Sequence, residues 1–253
     1  MQENRIHNMG YAVQKRNDFI SIVIPAWNEK NRLPNYLNQW LVFLPGKFDE
    51  FEIIIVDDGS SDGLFEELIK RTEYGKYLFV LRRKHEGKGA AVKAGMLKAR
   101  GDIVLFCDAD GATPVEECTS LYNKHVESGA PIIIASRNAN SGANSVKNTF
   151  FRHFIGRIFR LIVTFLTDLR FYDTQCGFKL FTSHAVRMIF PKVTTPGWAF
   201  DIEVLLWAKK FGLPVFEVPV SWHGMKDSRT KPFRDALPML LDVIRIKRLV
   251  GRP

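Results

Sequence analysis

Apolar runs and polar turns alternate through the first half of the chain. Residues 19–25 (FISIVIP), 51–56 (FEIIIV), 77–81, 102–107 (DIVLFC) and 131–135 (PIIIA) are short, continuous and rich in β-branched side chains. That pattern predicts strands covered on both faces. Between them, helical spacing covers 33–44, a segment from Ser60 or Ser61 to about Thr72, 90–99 and 114–127. A serine can cap the second of these helices, and Pro114 suits the start of the last. Strands alternating with helices predict an α/β domain whose mostly parallel sheet carries helices on both faces.

After Ser136 the pattern changes. Residues 136–148 are polar and rich in Asn, Ser and Gly, the composition of a mobile loop. A helical region over 150–171 follows, then a strand at 176–182, a helix at 199–211 and a strand at 215–220. A basic loop at 222–232 and a helix at about 235–249 close the chain. The expected division is a flexible lead-in at 1–17, one α/β domain at 18–220 enclosing the 136–171 region, and a basic C-terminal loop and helix at 221–253.

Composition narrows the partners. The 253 residues carry a formal net charge of +9 and 46% apolar residues, enough for a sizeable core. A basic balance favours anionic partners such as nucleotide phosphates or an acidic membrane surface. No recognised nucleic-acid motif is present, so nucleic acid is not an expected partner. Cys107, Cys118 and Cys176 form no CxxC and leave one over in any pairing, which points to reduced thiols on the cytosolic side. Neither a signal peptide nor a spanning helix is visible. The apolar stretch 150–171 is interrupted by Arg152, His153, Arg157, Arg160, Asp168 and Arg170. A spanning helix needs about 20 largely uncharged residues. Aromatic bulk mixed with arginine instead suits an amphipathic helix at a membrane surface, although a core helix with a solvated face has the same periodicity.

Ligands of open α/β sheets bind outside the carboxyl ends of the strands. Here those ends are 25–29 (PAWNE), 57–60 (DDGS) and 108–110 (DAD). Asp108 and Asp110, one residue apart after a buried strand, can grip a divalent cation that also holds a diphosphate. A bare DxD is common, and its weight comes from sitting beside a second acidic strand end. Asp57 and Asp58 can accept hydrogen bonds from ribose hydroxyls or base N–H groups, and Gly59 permits the tight turn. Gly87-Lys88-Gly89 opens a helix, where backbone and lysine can approach phosphates, but the P-loop pattern is incomplete.

The runs 22–29 (IVIPAWNE), 56–62 (VDDGSSD), 87–92 (GKGAAV), Gly101-Asp102 and 108–113 (DADGAT) resemble family 2 glycosyltransferases of GT-A fold. The segments 173–181 (DTQCGFKLF) and 198–203 (WAFDIE) resemble the branch of that family that glucosylates dolichyl phosphate. The resemblance spans about 19–248. It implies that Pro25, Ala26, Glu29 and Asp57 hold the nucleoside, expected to be uridine, with Asp58 beside them. It places Lys88 and Asp108 at the donor diphosphate, and Asp108 and Asp110 at Mg²⁺ or Mn²⁺. Gln175 lies near the sugar or acceptor. The resemblance likewise implies that Arg137, with Lys147 and Arg152, takes the acceptor phosphate from within the 136–171 acceptor loop and interfacial helix region. Two departures stand out. The resembling glucosyl enzymes begin with a membrane helix that this sequence does not show, so either a prokaryotic relative or docking by C-terminal amphipathic membrane-surface helices alone is expected. Ala112 occupies the place of a further metal ligand in mannosyl relatives, so phosphate and water oxygens would complete the coordination.

The expected activity is inverting transfer of a hexose, glucose from UDP-glucose, onto dolichyl or polyprenyl phosphate at the cytosolic membrane face. A lipid phosphate is already anionic and needs no general base; Asp201 is the base candidate for a hydroxyl acceptor. Basic residues of the second half, among them Arg229, Lys231 and Arg245, could attract anionic head groups. The alternatives are a soluble family 2 transferase acting on a saccharide or protein hydroxyl, and a non-enzymatic nucleotide-binding module.

Overall fold

A computed structural model describes residues 16–71, 75–137, 161–224 and 232–251. Its elements run β1 (Arg16–Ala26), α1 (Leu33–Phe43), β2 (Phe48–Asp57), α2 (Leu64–Leu68), β3 (Leu78–Arg82), α3 (Lys88–Lys98), β4 (Ile103–Cys107), α4 (Glu117–Ser128), β5 (Ile132–Ser136), β6 (Phe178–Thr182), α5 (Ser183–Ile189), α6 (Phe200–Lys210), β7 (Val215–Pro219) and α7 (Pro232–Val250). Residues 161–167 are also helical.

The strands form one seven-stranded sheet in the order β3-β2-β1-β4-β6-β5-β7. Successive side chains of a strand point to opposite faces, so each fully covered strand feeds two cores. On one face Ile20, Ile22 and Ile24 of β1 pack with Leu37 and Trp40 of α1 and Leu121 of α4. On the other, Val23, Val104, Phe106 and Ile134 pack with Val92 of α3, Ile189 of α5, Leu205 of α6 and Val243 of α7. At the end of the sheet remote from the acidic turns, Glu52 is 2% exposed. Its carboxylate accepts from the Ser21 hydroxyl at 2.6 Å and from Arg100 Nε and Nη2 at 2.9 and 2.7 Å. A buried charge is tolerable only when paired in this way.

The mostly parallel sheet with helices on both faces is present, with one exception that matters. β6 runs antiparallel to both β4 and β5. Its beginning therefore lies at the edge where the parallel strands end. Smaller expectations are corrected by local hydrogen bonding. The helix expected from Ser60 or Ser61 is only α2, entered through Gly63 at φ +83°. Ser60 does not cap it, because its hydroxyl accepts from Asn28 N at 2.8 Å instead. The short helix α5 was not expected; Thr182 caps it by accepting from Ala185 N. β1 begins at Arg16, inside the segment expected to be a lead-in. The cysteines are buried free thiols.

Candidate functional site

The register gathers the candidate residues on one edge. Ala26 ends β1 opposite Asp57, the last residue of β2, and Asp57 lies opposite Arg82 of β3. Asp108 follows β4, Arg137 follows β5, and residues 173–177 lead into the antiparallel β6.

Asp108 sits at the centre. Its backbone N–H donates to Gly177 O at 2.9 Å. A Cβ on Gly177 would overlap the Asp108 carboxylate, so only glycine fits beneath it. Lys88, the first residue of α3, brings Nζ to 2.5 Å from Asp108 Oδ1 and 5.0 Å from the centre of the Trp198 ring. Burial opposes the lysine charge, but Asp108 and then Asp201 outweigh it and raise the Lys88 pKa. The lysine is aimed by its N-cap, Gly87, at φ +114°. A side chain there would meet Pro196 O at 2.6 Å. Glu203 secures that facing loop from α6, accepting from Thr194 N at 2.9 Å and Thr195 N at 2.7 Å.

Asp110 is half-buried, and its carboxyl is raised above the ordinary range by burial first and by Asp108 second. Two neighbouring carboxylates under mutual repulsion suit a divalent cation. Among the described residues no group of three or more His, Cys, Asp or Glu side chains gathers to hold a metal. The acidic pair therefore fits an ion only as a partial cradle, to be completed by oxygens of a bound substrate or water. The segment after β7 also reaches this loop, with His223 N donating to Ala112 O at 2.8 Å.

The two acids after β2 divide their work. Asp57 is fully buried; Oδ1 accepts from Ser60 N at 3.0 Å, while Oδ2 has no hydrogen-bond partner among the described residues and lies 3.7 Å from Arg82 Nε. Asp58 is committed internally. It accepts from Gly87 N at 2.8 Å and Glu86 N at 3.2 Å, and its Oδ2 meets His85 Nδ1 at 2.8 Å. It braces the loop that delivers Lys88, which corrects the expectation that it faces a nucleoside. His85 in turn stacks on Trp27, with ring centres 4.4 Å apart. Pro25 and Ala26 close β1, and Asp58 N donates to Ala26 O at 2.8 Å. Glu29 is buried and accepts from Arg32 Nε and Nη2 at 2.6 and 2.5 Å.

On the far side of Gly177, Arg137 grips Asp173 with Nε to Oδ2 at 2.6 Å and Nη2 to Oδ1 at 2.9 Å. The guanidinium also lies 5.7 Å from the centre of the Trp222 ring. Burial works against the Asp173 charge, yet Arg137 overcomes it and holds the carboxyl below the usual range. Glu217 of β7 fixes this loop by accepting from Tyr172 N at 2.8 Å and Asp173 N at 2.7 Å. Gln175 is half-buried beside it, and its Nε2 has no partner among the described residues. Asp201 is 1% exposed and paired at 2.5 Å with Lys179, which is fully buried and also donates to Cys176 O at 2.6 Å. Burial raises the Asp201 carboxyl above its ordinary value against the pull of Lys179, but its enclosure leaves it supporting the loop rather than facing an acceptor. Lys147 and Arg152 lie outside the described residues.

Sequence reasoning passed over Asp173, Gly177, Lys179, Glu203 and Glu217. The first three stood inside the most specific segment, 173–181, so their number was visible but their roles were not. Glu217 carries no local signal, because its partners lie on a segment far away in the chain.

A seven-stranded, mostly parallel sheet with an acidic pair and a helix-borne lysine at its edge is an arrangement of the GT-A type. A family model described as glycosyl transferase family 2 matches residues 21–190, and this chain belongs to that family. Within it, the chain is similar to dolichyl-phosphate beta-glucosyltransferases. It is 34% identical to that of Dictyostelium discoideum, covering 98% of this chain and 80% of the relative. It is likewise 34% identical to that of Homo sapiens, covering 92% and 76%. Among solved structures, glucosyl-3-phosphoglycerate synthase from Mycobacterium tuberculosis in complex with Mn²⁺, UDP and phosphoglyceric acid superposes with a TM-score of 0.66 at 21% identity, covering 93% of this chain and 80% of that one. The same enzyme with Mg²⁺ and UDP gives 0.64 at 18% identity. At these identities the likeness is one of fold.

Proposed function

We propose that this protein transfers glucose from UDP-glucose to dolichyl or another polyprenyl phosphate, with inversion at the anomeric carbon. The observation that carries the reading is the pairing of Lys88 with Asp108 above Gly177. It sets a cation and an acidic pair together at the edge where a nucleoside diphosphate would lie. The similarity to dolichyl-phosphate beta-glucosyltransferases supports glucose as the sugar and dolichyl phosphate as the acceptor.

In this reading Asp57 offers its unpartnered oxygen to the nucleoside. Asp108 and Asp110 would hold Mg²⁺ or Mn²⁺, which when bound neutralises charge on the departing diphosphate. Lys88 adds a second positive charge to the same group. Arg137, whose Nε and Nη2 Asp173 takes, would offer its remaining amino group, Nη1, to the acceptor phosphate. The acceptor oxygen is anionic near neutral pH and needs no base, so positioning and electrostatics dominate.

The protein would work at the cytosolic face of a membrane. Among the described residues no helix is long and apolar enough to cross one. Surface docking is supported by Leu161 and Phe165, which are 65% and 88% exposed on the 161–167 helix, and by Leu241, which is 61% exposed on α7. On α7 the exposed Leu241 shares the helix with exposed Arg245, Lys247 and Arg248, which suits an interfacial helix. The test is incubation with a panel of nucleotide sugars, polyprenyl phosphate and Mg²⁺, followed by mass spectrometry of the lipid. A hexosyl-phosphoryl lipid formed from UDP-glucose is the expected product. Products only on soluble hydroxyl acceptors would overturn the reading.

A further inference from the structure

Two polar atoms of the site are buried without a hydrogen-bond partner among the described residues: the hydroxyl of Ser136, a residue 1% exposed, and Nε2 of Gln175. Leaving such groups unpaired costs free energy, and chains rarely tolerate it away from functional sites.

Their placement follows from the register. Ile134 of β5 pairs with Lys179 of β6 in an antiparallel ladder. Two residues onward in β5 and two backward before β6 bring Ser136 opposite Gly177. Ile132 and Ile134 face the core under α3 and α6, as do Val104 and Phe106 of β4. By strand alternation Ser136 and Asp108 face that same side. Gly177 contributes no side chain, and the Asp108 carboxylate lies over it. Ser136 thus lies across Gly177 from Asp108, and Gln175 stands two residues before that glycine.

We propose that Ser136 and Gln175 read hydroxyl groups of the transferred hexose. This rests on the donor assigned above. The sugar hangs from the far phosphate of the donor, so it must lie next to the Lys88 and Asp108 end of the site. A hydroxyl can both give and accept, and an amide nitrogen gives, which complements a polyhydroxylated ring. Neither group carries charge. A phosphate would be met by arginine or lysine, and Arg137, the residue after Ser136, supplies that chemistry. A site built to hydrogen-bond a hydroxyl also rejects analogues that lack it, because its buried partners are then left unpaired.

The test is calorimetric titration of wild-type, Ser136→Ala and Gln175→Leu protein with UDP and with UDP-glucose, in buffer containing Mn²⁺. Each variant removes the unpaired group with little change in volume. Thermal melts of the ligand-free variants are expected to match or exceed wild type, since a buried unsatisfied group has been deleted. Affinity for UDP is expected to stay unchanged, while affinity for UDP-glucose falls by about five- to a hundredfold. Unchanged UDP-glucose binding, or equal weakening of UDP and UDP-glucose, would overturn the inference. Binding of neither nucleotide by wild type would remove the donor reading itself; binding of UDP with no variant effect on UDP-glucose would remove only this one.

Discussion

Gly177 lies directly beneath Asp108: its carbonyl accepts the Asp108 amide at 2.9 Å, and its missing side chain is what lets the carboxylate sit there. Replacing Gly177 with alanine should push Asp108 off its seat. Overpacking of this kind costs about 1–3 kcal/mol of stability. The larger consequence should be functional, with Mn²⁺-dependent UDP binding weakened at least tenfold (on the order of 1.4 kcal/mol). Calorimetry beside a melting curve checks it. Undiminished binding in a folded variant would show that the seat is not required.

Asp110→Asn removes one acid of the pair while keeping its shape. Transfer is expected to fall by about 10²–10³-fold, the scale for losing one preorganised electrostatic group, with circular dichroism unchanged. Full turnover would take the acidic pair out of the mechanism.

Arg137→Ala should raise the acceptor KM or lower kcat and leave donor binding nearly intact. The guanidinium is bound to Asp173 rather than to the residues flanking Lys88. Steady-state kinetics with varied polyprenyl phosphate, paired with UDP-glucose calorimetry, separates the two. Collapse of donor binding would reassign Arg137.

Lys179 and Asp201 form a buried ion pair at 2.5 Å. Lys179→Met leaves the Asp201 charge without its partner and should destabilise the fold by about 3–5 kcal/mol. Lys179→Met combined with Asp201→Leu should recover much of that loss, because both charges are then gone. Urea unfolding of the single and double variants measures the difference.

Acid stability should depend on Asp173. Arg137 holds the Asp173 carboxyl below its ordinary value of about 3.9. Its contribution is therefore complete above that ordinary value and is lost as pH falls through the lower folded value. Asp173→Asn should unfold more easily at neutral pH and show a shallower loss of stability below about pH 4. Denaturant midpoints across pH 2–7 test this; parallel curves for the two proteins would refute it.

Much of this protein is set by its own order of residues. The apolar runs at 19–25, 51–56 and 102–107 state a two-faced sheet, because only a strand covered on both sides has no polar alternation. The carboxylates after those runs had to emerge at one edge, since parallel strands end together. Asp108, Asp110 and Asp57 were legible for that reason, and Lys88 from the glycines that flank it at the start of a helix.

What the tertiary structure decided is which of these groups are available and what aims them. Asp57 and Asp58 are adjacent and chemically identical, yet one keeps an open oxygen and the other is spent on Gly87 N and His85. Asp201, at the start of its helix, read equally well as a base until Lys179 closed over it. The reversal of β6 is also invisible locally, because its apolar residues would suit either direction, and only the pairing of Ile103 with Thr182 shows it. That reversal carries Asp173, Gln175 and Gly177 to the edge where the parallel strands end. Hydrogen-bond partners far apart in sequence settle each of these outcomes, and local pattern contains no information about a partner that the fold has yet to deliver.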